Sequence, residues 1–421
     1  LGFCVRLNKG DFIGREALVK VKSQGLKQRL CTLTLTDACV VYGGEAVYAE
    51  DGVDSRIVSR LRSAGYGYTV GRPIGYGYVR NDAGVDNQIG KIFGGGYAQT
   101  LGAERRVTVG IAGFAQGGVG FVYKDLRNQF GPPDEMSALF GVFRLAPTIA
   151  WRASEQVAIG ATLGINYSSA TQKFLPDTSL PSSAGTPGFQ GFELDKADGI
   201  SFNGKLGLQY RPVPAWTLAL SYTSETRIKL DDGNLVMNYE ADGLGRVRYR
   251  HASVSGLALP AELGFGIAHA PDANWLLSAE VNWVDWSGAV QSSTLSADAP
   301  DREGVPATQS FTSELNWRDQ YVVAIGGQYQ WSPRTQLRFG YNYGRNPIPN
   351  RALGPSFNLI SEHAVGVGIG YALAAGWQLE GSLLGSPTRS VRYSNPTLAL
   401  GTVQEERFAV VDLNLTLTRR W

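Results

Sequence analysis

Hydrophobic and polar positions alternate along most of this chain. In 411–417, valine or leucine fills every odd position and a polar residue every even one. In 336–343 the odd positions are leucine, phenylalanine and tyrosine, and in 364–372 they are valine, isoleucine and tyrosine set against alanine and glycine alone. Because successive side chains of a strand point to opposite faces, these segments are predicted to be strands with one apolar face.

The same pattern recurs from about residue 104 onward, and the connections between its repeats alternate in length. It predicts strands near 104–116, 138–152, 156–169, 199–211, 216–230, 247–270, 274–290, 318–331, 335–346, 361–373, 376–391 and 404–418. Short turns are predicted at 152–155, 211–215, 270–273, 331–334 and 374–376, and long polar loops at 117–137, 170–198, 231–246, 291–317, 347–360 and 392–403. Short turns that alternate with long loops are typical of outer-membrane barrels.

Membrane physics favours a barrel over helices. No apolar run approaches the ~18–20 residues that a membrane helix needs, whereas a barrel strand needs only ~9–11. Strands can span hydrocarbon only as a closed sheet, because unpaired backbone groups are costly there. We therefore predict an all-β protein: a transmembrane antiparallel β-barrel of about 12–14 strands, preceded by a small β-rich α+β segment. Tryptophans near strand ends are predicted to form membrane girdles, although a soluble core would also hold aromatics; they are Trp216, Trp275, Trp283, Trp331, Trp377 and Trp421.

The first 79 residues have a different pattern. Residues 14–24 have helical spacing, and short strands are predicted at 29–36, 45–49, 56–62 and 74–79. Residues 80–103 have no clear period and contain a glycine triplet, which predicts a linker or a junction between unrelated parts. The triplet lacks the following lysine and hydroxyl residue of a phosphate loop, so nucleotide binding is not expected.

Composition separates the same two parts. The only cysteines are Cys4, Cys31 and Cys39, an odd number without metal-ligand spacing. Reduced thiols indicate that the first part originates from a reducing compartment such as the cytosol. The absence of cysteine after Cys39 is typical of a protein that assembles in the oxidising periplasm. A net charge of +2 gives no reason to expect nucleic acid as a partner. The chain begins with Leu1 and shows no signal peptide, so we expect a mature form or a fragment.

The second part carries segments found in one family of outer-membrane proteins. They are Phe114–Gly120, Phe130–Pro132, Leu145–Pro147, Val157–Thr162, Leu337–Tyr343 and Asn346–Pro349. Over about 104–421 the chain resembles the FadL family of transporters for long-chain fatty acids and aromatic hydrocarbons. The resemblance implies a fourteen-stranded barrel with an N-terminal hatch in its lumen, and release of substrate sideways toward the membrane. The hatch and its Asn-Pro-Ala segment are not found, so residues 1–103 are expected to stand in their place.

The first part resembles another family. The segments that carry the resemblance are 1–3, 9–18 and 63–72. Over about 1–79 the chain is similar to the C-terminal domain of glycine-cleavage T-proteins, in the version found in sarcosine and dimethylglycine dehydrogenases. In that family the folate-binding cleft and the catalytic aspartate lie mostly upstream, so no catalytic residue is transferred to this chain.

Candidate site residues follow from the barrel. A hydrophobic path needs an apolar lumen patch with one or two polar anchors. By analogy with the family, the candidates are Phe114, Phe140, Phe143 and Leu145, with Arg144 and Arg338 as guanidinium groups for a fatty carboxylate. Such arginines also commonly balance acids in a lumen. The histidines are scattered, so neither a metal site nor a catalytic triad is expected.

The leading hypothesis is passive outer-membrane transport of long-chain fatty acids or other hydrophobic or aromatic compounds, without catalysis or cofactor. The expected partners are hydrophobic small molecules, outer-membrane lipid and lipopolysaccharide, and the barrel-assembly machinery, which would recognise the last strand and Trp421. One alternative is a fragment of a folate-dependent aminomethyltransferase or of a sarcosine or dimethylglycine dehydrogenase, fused to a barrel and without intact activity. Another is that two genes were joined and the whole chain has no natural function.

Overall fold

The chain forms two compact units. The computed structural model describes residues 15–16, 28–34, 45–48, 57–67, 72–80, 84–85, 92–126, 130, 133–181, 188–354, 361–395 and 404–420. One unit comprises 1–84 with 125–127, and the other comprises 85–124 with 128–421.

The first unit contains a four-stranded antiparallel sheet. Its strands are β1 (Gln28–Thr34), β2 (Ala46–Tyr48), β3 (Ile57–Gly67) and β4 (Arg72–Arg80), in the order β1-β4-β3-β2. All four strands match predicted ones. Of the predicted helix, only Arg15 and Glu16 are among the described residues, and both are helical.

The second unit is one antiparallel sheet whose strand order closes into a barrel. Its strands are β5 (Gly84–Val85), β6 (Gly94–Leu101), β7 (Val107–Leu126), β8 (Asp134–Arg152), β9 (Val157–Leu180), β10 (Phe189–Val213), β11 (Trp216–Thr223), β12 (Thr226–Tyr239), β13 (Gly245–Leu259), β14 (Glu262–His269), β15 (Trp275–Val284), β16 (Ser292–Pro300), β17 (Thr308–Glu314), β18 (Gln320–Ser332), β19 (Thr335–Gly344), β20 (His363–Ala372), β21 (Trp377–Tyr393) and β22 (Gln404–Arg419). The short helix α1 spans Trp286–Ala289. The predicted fold class is confirmed.

Strand β6 lies inside the range predicted to be a junction. It pairs with β7 from Gly94 opposite Phe114 to Leu101 opposite Val107. Its glycine triplet removes the apolar alternation by which strands are recognised in a sequence, and only the pairing with β7 reveals it.

The two ends of the barrel differ. At one end, the five predicted short turns all separate consecutive strands. At the other end, several predicted long loops are wrong, because much of 117–137, 170–198, 231–246 and 291–317 is strand. These extensions lie beyond the apolar band, where both faces of a strand can be polar, so their sequences lack the alternation of a membrane strand.

Two predicted strands are each broken in the middle. The predicted strand 216–230 divides at Ser224 and Glu225 into β11 and β12, and 247–270 divides at Pro260 and Ala261 into β13 and β14. Proline has no backbone N–H to give to the sheet, so a ladder cannot pass Pro260 unbroken. Strands β11 and β14 pair within the barrel wall, whereas β12 and β13 pair with β10, β16 and each other. We call the β10-β12-β13-β16-β17 part the upper sheet.

The outward face changes from apolar to charged along β8. Exposed apolar side chains run from Leu139 to Trp151. Beyond Leu139, Lys173 lies 3.7 Å from Glu135 and 3.8 Å from Glu193. Charged side chains are not stable against hydrocarbon, so this change marks the place where the wall leaves the membrane. Within the part of the chain that the structure describes, no helix has the length and apolar character of a membrane span.

Candidate functional site

The three consecutive candidates on β8 do not share a face. Arg144 is 6% exposed, whereas Phe143 is 48% and Leu145 is 38% exposed. A Cβ atom added to Gly113 of β7 would contact the Phe143 ring. Gly113 and Phe143 therefore lie on the same outward face of the sheet. Phe143 and Leu145 therefore lie on the opposite face of β8 from the buried Arg144, because strand residues alternate, so these three candidates do not line one surface.

The other two apolar candidates lie on the opposite face of the sheet from Phe143. Phe114 follows Gly113 on β7, and Gly113 shares a face with Phe143. Phe140, four residues before Arg144 on β8, packs against a buried cluster formed mainly by the upper sheet. We call this cluster of packed side chains, each at most 8% exposed, the apolar chamber; it comprises Val142, Leu194, Ala197, Ile228, Leu230, Leu235, Met237, Tyr239, Val247, Tyr249, Ala252, Leu295 and Ala297.

A run of five phenylalanines lies at the outer end of the chamber. Successive ring centroids are 4.4 Å apart for Phe130 and Phe189, 6.1 Å for Phe189 and Phe174, 5.7 Å for Phe174 and Phe192, and 5.5 Å for Phe192 and Phe311. These spacings lie within the range of favourable ring contacts. We call this run the phenylalanine row. It joins residues from three predicted loops.

A buried polar group lies on the short-turn side of the chamber. Asn166 donates from Nδ2 to Asn203 Oδ1 over 3.4 Å, and Asn203 Nδ2 donates to the Ser224 carbonyl over 3.4 Å. Arg144 is paired with Asn166 across β8 and β9. Its Nε and Nη2 have no hydrogen-bond partner among the described residues, and neither have Asn166 Oδ1 and Ser168 Oγ. We call Arg144, Asn166, Ser168 and Asn203 the polar floor.

The floor depends on a glycine. A Cβ on Gly164 would overlap Asn203 Oδ1 and the Arg144 guanidinium, so both groups occupy space that any other residue would fill. A buried cation without a partner is costly in a protein interior. The combination points to a place where an incoming polar group would be stabilised.

Arg338 belongs to a separate network. Its Nη2 lies 2.6 Å from Glu380 Oε1 and 3.1 Å from Gln336 Oε1, and its Nε donates to Gln328 Oε1 over 3.0 Å. The pair lines an open groove of about 340 Å³ along β19, β20 and β21. The structure therefore does not bring Arg338 together with Arg144. Glu380 already balances the charge of Arg338.

Four of the predicted girdle tryptophans lie at the short-turn end. Trp216, Trp275 and Trp377 begin strands, and Trp331 is the second-last residue of β18. Trp283 lies toward the opposite end of β15 and donates from Nε1 to Asp319 Oδ2 over 3.2 Å. Trp421 lies outside the described residues.

The upper sheet holds a buried tyrosine pair. The hydroxyl groups of Tyr239 and Tyr249 are 3.2 Å apart, and Gln309 Nε2 donates to them over 2.7 and 3.3 Å. Burial, together with the bond to Tyr249, raises the pKa of the Tyr239 hydroxyl. The group therefore stays protonated at physiological pH. Among the described residues, no group of three or more acidic, histidine or cysteine side chains could hold a metal ion.

Sequence reasoning missed the phenylalanine row and the asparagines. A signal for the row was present, because predicted polar loops rarely carry phenylalanine, yet 117–137, 170–198 and 291–317 contain Phe130, Phe174, Phe189, Phe192 and Phe311. The asparagines Asn166 and Asn203 stand at inward positions of long strands, and nothing local distinguishes them from other lumen amides.

Comparison with known proteins identifies the second unit. The family model described as outer membrane protein transport protein (OMPP1/FadL/TodX) matches residues 105–380. The chain belongs to this family of outer-membrane transport proteins. The toluene transporter TbuX of Ralstonia pickettii has a TM-score of 0.60 and 18% identity, covering 86% of this chain and 84% of its own. The toluene transporter TodX of Pseudomonas putida has a TM-score of 0.61 and a sequence identity of 15%, and the match covers 86% of this chain and 85% of TodX. At sequence identities this low, the structural similarity shows a shared fold and nothing more.

The first unit matches different proteins. The model described as glycine cleavage T-protein C-terminal barrel domain matches residues 28–90. Mitochondrial sarcosine dehydrogenase of Mus musculus is 36% identical over 99 residues, which are 23% of this chain and 10% of that protein. The chain therefore spans about a tenth of this relative's length. Such a short match does not amount to an intact catalytic unit.

Proposed function

We propose that this barrel carries long-chain fatty acids or other hydrophobic and aromatic compounds across the outer membrane by passive diffusion. The observation that carries the proposal is the phenylalanine row above the apolar chamber in the wall of a FadL-family barrel. Burying apolar surface releases roughly 25 cal/mol per Å², and rings spaced as in the row add favourable edge and stacking contacts. The row and chamber thus favour capture of a hydrophobic molecule from water.

The polar floor supports the fatty-acid part of the proposal. Nε and Nη2 of Arg144 have no hydrogen-bond partner among the described residues, and the side chain is buried on the short-turn side of the chamber. A guanidinium binds a carboxylate with two parallel hydrogen bonds. A carboxylate bound there would leave its chain among the apolar residues of the chamber. A neutral hydrocarbon would use the chamber alone.

The test compares two substrates in proteoliposomes that contain the full chain. Phe192→Ala is expected to slow uptake of both labelled palmitate and labelled toluene several-fold. Arg144→Gln is expected to slow palmitate by about tenfold, the equivalent of ~1.4 kcal/mol, and to leave toluene unchanged. Arg338→Gln is the matched control, because Arg338 already has Glu380 as its partner. Equal rates for the wild type and both test variants would contradict the proposal.

The positions of the surface tryptophans support a location in the outer membrane. We propose that Trp216, Trp275, Trp331, Trp377 and Trp421 form the inner girdle. Trp283 would belong to the outer one. Outer-membrane lipid and lipopolysaccharide are the proposed surroundings, and the barrel-assembly machinery is the proposed partner of the last strand.

For the first unit we propose no intact activity. Its match to sarcosine dehydrogenase covers a small part of that enzyme, which supports the reading as a fragment. Isothermal calorimetry with tetrahydrofolate is expected to give no heat of binding to the full chain. Measurable saturable binding would instead favour a folate-linked role.

A further inference from the structure

The short-turn end of the barrel carries an excess of positive charge. It comprises the short turns and the strand ends beside them, at 102–106, 152–156, 211–215, 270–274, 332–335, 373–376 and 419–420. These segments hold seven arginines, no lysine and three acidic residues, which leaves an excess of four positive charges. The whole chain has a net charge of only +2, so the rest of it is net negative. We call the seven arginines the basic rim; they are Arg105, Arg106, Arg152, Arg211, Arg334, Arg419 and Arg420.

The backbone places these segments side by side around one end of the barrel. Arg152 donates its backbone N–H to the Arg106 carbonyl over 2.8 Å, and Arg420 donates to the Gly376 carbonyl over 2.9 Å. Backbone bonds of the same kind run from Arg211 to Gln156, from Ala270 to Ala215, from Gln330 to Asn274 and from Ala372 to Arg334. Because each bond joins one segment to the next, the arginines lie along one continuous rim.

Little of the rim's charge is neutralised by the chain itself. All seven arginines are exposed. Arg106 lies 3.1 Å from Glu104, and the Arg419 guanidinium lies 5.4 Å from the ring centre of Trp377. Among the residues that the structure describes, no ion pair or side-chain hydrogen bond involves the guanidinium groups of the other five arginines. The rim therefore presents its charge to the surroundings of the barrel.

Tryptophans beside the rim indicate its depth in the membrane. Four of them, each 36–69% exposed, directly adjoin the segments of the rim: Trp151, Trp216, Trp275 and Trp331. Indole rings prefer the level where hydrocarbon gives way to lipid headgroups. Arg152 follows Trp151 in the chain, and a long arginine side chain at such a position extends toward the headgroups. The rim arginines are therefore within reach of the lipid phosphates of one leaflet.

The type of cation in the rim suits a phosphate. Every cation in these segments is arginine, although lysine occurs elsewhere in the barrel, at Lys173, Lys196 and Lys229. A guanidinium can give a phosphate two parallel hydrogen bonds, whereas an ammonium group acts as a point charge. Cations close to a membrane surface also attract anionic lipids. A lipid with a net negative charge is favoured over a zwitterionic one, because the amine of the latter repels the arginines.

We propose that the basic rim binds the phosphate groups of anionic phospholipids, such as phosphatidylglycerol, in the periplasmic leaflet of the outer membrane. The leaflet follows from the orientation of outer-membrane barrels, whose short turns face the periplasm. The inference goes beyond the proposed transport function and does not depend on it. Bound lipids would hold this end of the barrel at a fixed depth.

The test measures which lipid the full chain retains. The chain, purified in detergent, is incubated with phosphatidylglycerol or phosphatidylcholine, and the lipid that remains after gel filtration is quantified by mass spectrometry. The wild type is expected to retain about fivefold more phosphatidylglycerol than phosphatidylcholine. A rim variant that replaces Arg105, Arg106, Arg152 and Arg211 by glutamine is expected to lose most of this preference. Equal retention of the two lipids by the wild type would overturn the proposal.

A matched control removes the same number of charges from the opposite end of the barrel. It replaces the exposed residues Arg227, Lys229, Arg248 and Arg250 of β12 and β13 by glutamine. The control is expected to retain phosphatidylglycerol as the wild type does. An equal loss in the control and in the rim variant would overturn the assignment to the rim, because net charge alone would then explain it. A heat-modifiable gel band shows that each variant is folded.

A salt titration of the wild type needs no substitution and covers the case in which the rim variant does not fold. Raising NaCl from about 0.1 M to about 1 M is expected to release phosphatidylglycerol, because salt screens exposed charges. Retention that does not change with salt would contradict binding through the rim.

Poly-L-glutamate is the probe for a different partner, an acidic periplasmic protein. It is expected to be displaced from the wild type by phosphatidylglycerol. If the wild type binds poly-L-glutamate and the rim variant does not, while both retain phosphatidylglycerol equally, the lipid proposal is overturned in favour of an acidic protein.

Discussion

At the residue scale, a few inward positions of the β8–β10 wall set the chemistry of the chamber. Arg144 and Asn203 meet over Gly164, where only hydrogen is small enough. Asn166 donates to Asn203, whereas Nε and Nη2 of Arg144 have no hydrogen-bond partner among the described residues. Gly164 therefore leaves the space in which a buried arginine fits beside the two asparagines.

Gly164→Ala is expected to destabilise the barrel by about 1–3 kcal/mol, as added methyl groups do in filled sites. The midpoint of thermal unfolding, followed by circular dichroism in detergent, is the measurement. Gly204→Ala serves as the control, because a Cβ at Gly204 of β10 meets no atom within 4 Å. Equal thermal unfolding midpoints for Gly164→Ala and Gly204→Ala would show that the polar floor has room for the added methyl group.

A second residue-scale prediction concerns Glu362, which lies just before β20 at the long-loop end. Burial alone would raise the pKa of its carboxyl, but the Asn346 N–H and the Arg389 guanidinium outweigh it, so the pKa lies below its usual value. A lowered folded pKa contributes stability that is present above the unfolded value, near 4.5, and is lost as pH falls through the folded value.

Glu362→Gln is therefore expected to lower the unfolding midpoint at pH 7, and this difference from the wild type should disappear as the pH falls below 4.5 and through the lowered folded pKa of Glu362. Thermal unfolding of both proteins from pH 3 to pH 7 measures this. The wild type should lose more stability than the variant over that range. Parallel curves would rule out this carboxylate as a source of the pH dependence.

At the element scale, strand β20 shows how an alternating strand can serve two purposes. Its outward residues are Val365, Val367, Ile369 and Tyr371, each 42–55% exposed. Its inward positions Gly366, Gly368 and Gly370 carry no side chain, so Arg338 of β19 reaches Glu380 of β21 across them. The glycine face makes a groove that a bulkier strand would fill.

Gly368→Leu is expected to separate Arg338 from Glu380, because a Cβ at Gly368 already lies 3.7 Å from Arg338 Cβ. The ion pair is partly exposed, so the free energy of unfolding should fall by no more than about 1 kcal/mol. Urea unfolding in detergent measures it. Gly366→Leu, on the same face, is the control. A larger loss of unfolding free energy in Gly366→Leu than in Gly368→Leu would contradict the importance of the Arg338–Glu380 ion pair.

At the scale of the whole molecule, the second unit is a closed wall in which backbone groups bond to neighbouring strands. Such a sheet resists detergent until it is heated, since no open edge remains to be solvated. The upper sheet extends this wall at the long-loop end, where its strands enclose the apolar cluster.

The full chain is expected in the outer-membrane fraction as a band that migrates faster on a denaturing gel before boiling than after. The boiled sample of the same preparation is the control. A soluble protein with one heat-insensitive band would contradict the barrel.

Part of this architecture follows from local sequence. The alternation in 336–343, 364–372 and 411–417 predicts membrane strands, and the turns at 331–334 and 374–376 lie where expected. Alternation also decides, without coordinates, that Phe143 and Leu145 cannot share a face with Arg144. The reason is that strand parity and tight turns depend on neighbouring residues only.

The sequence by itself determined the two-part chain, the barrel class and the family resemblance. Tertiary structure alone decided that Leu295 and Ala297 of the β16–β17 hairpin join the apolar chamber, that Phe192 and Phe311 meet, and that Arg338 is paired while Arg144 Nε and Nη2 have no partner among the described residues. These features join residues far apart in the chain. Their contacts depend on the register between strands that are distant in sequence, which no local pattern specifies.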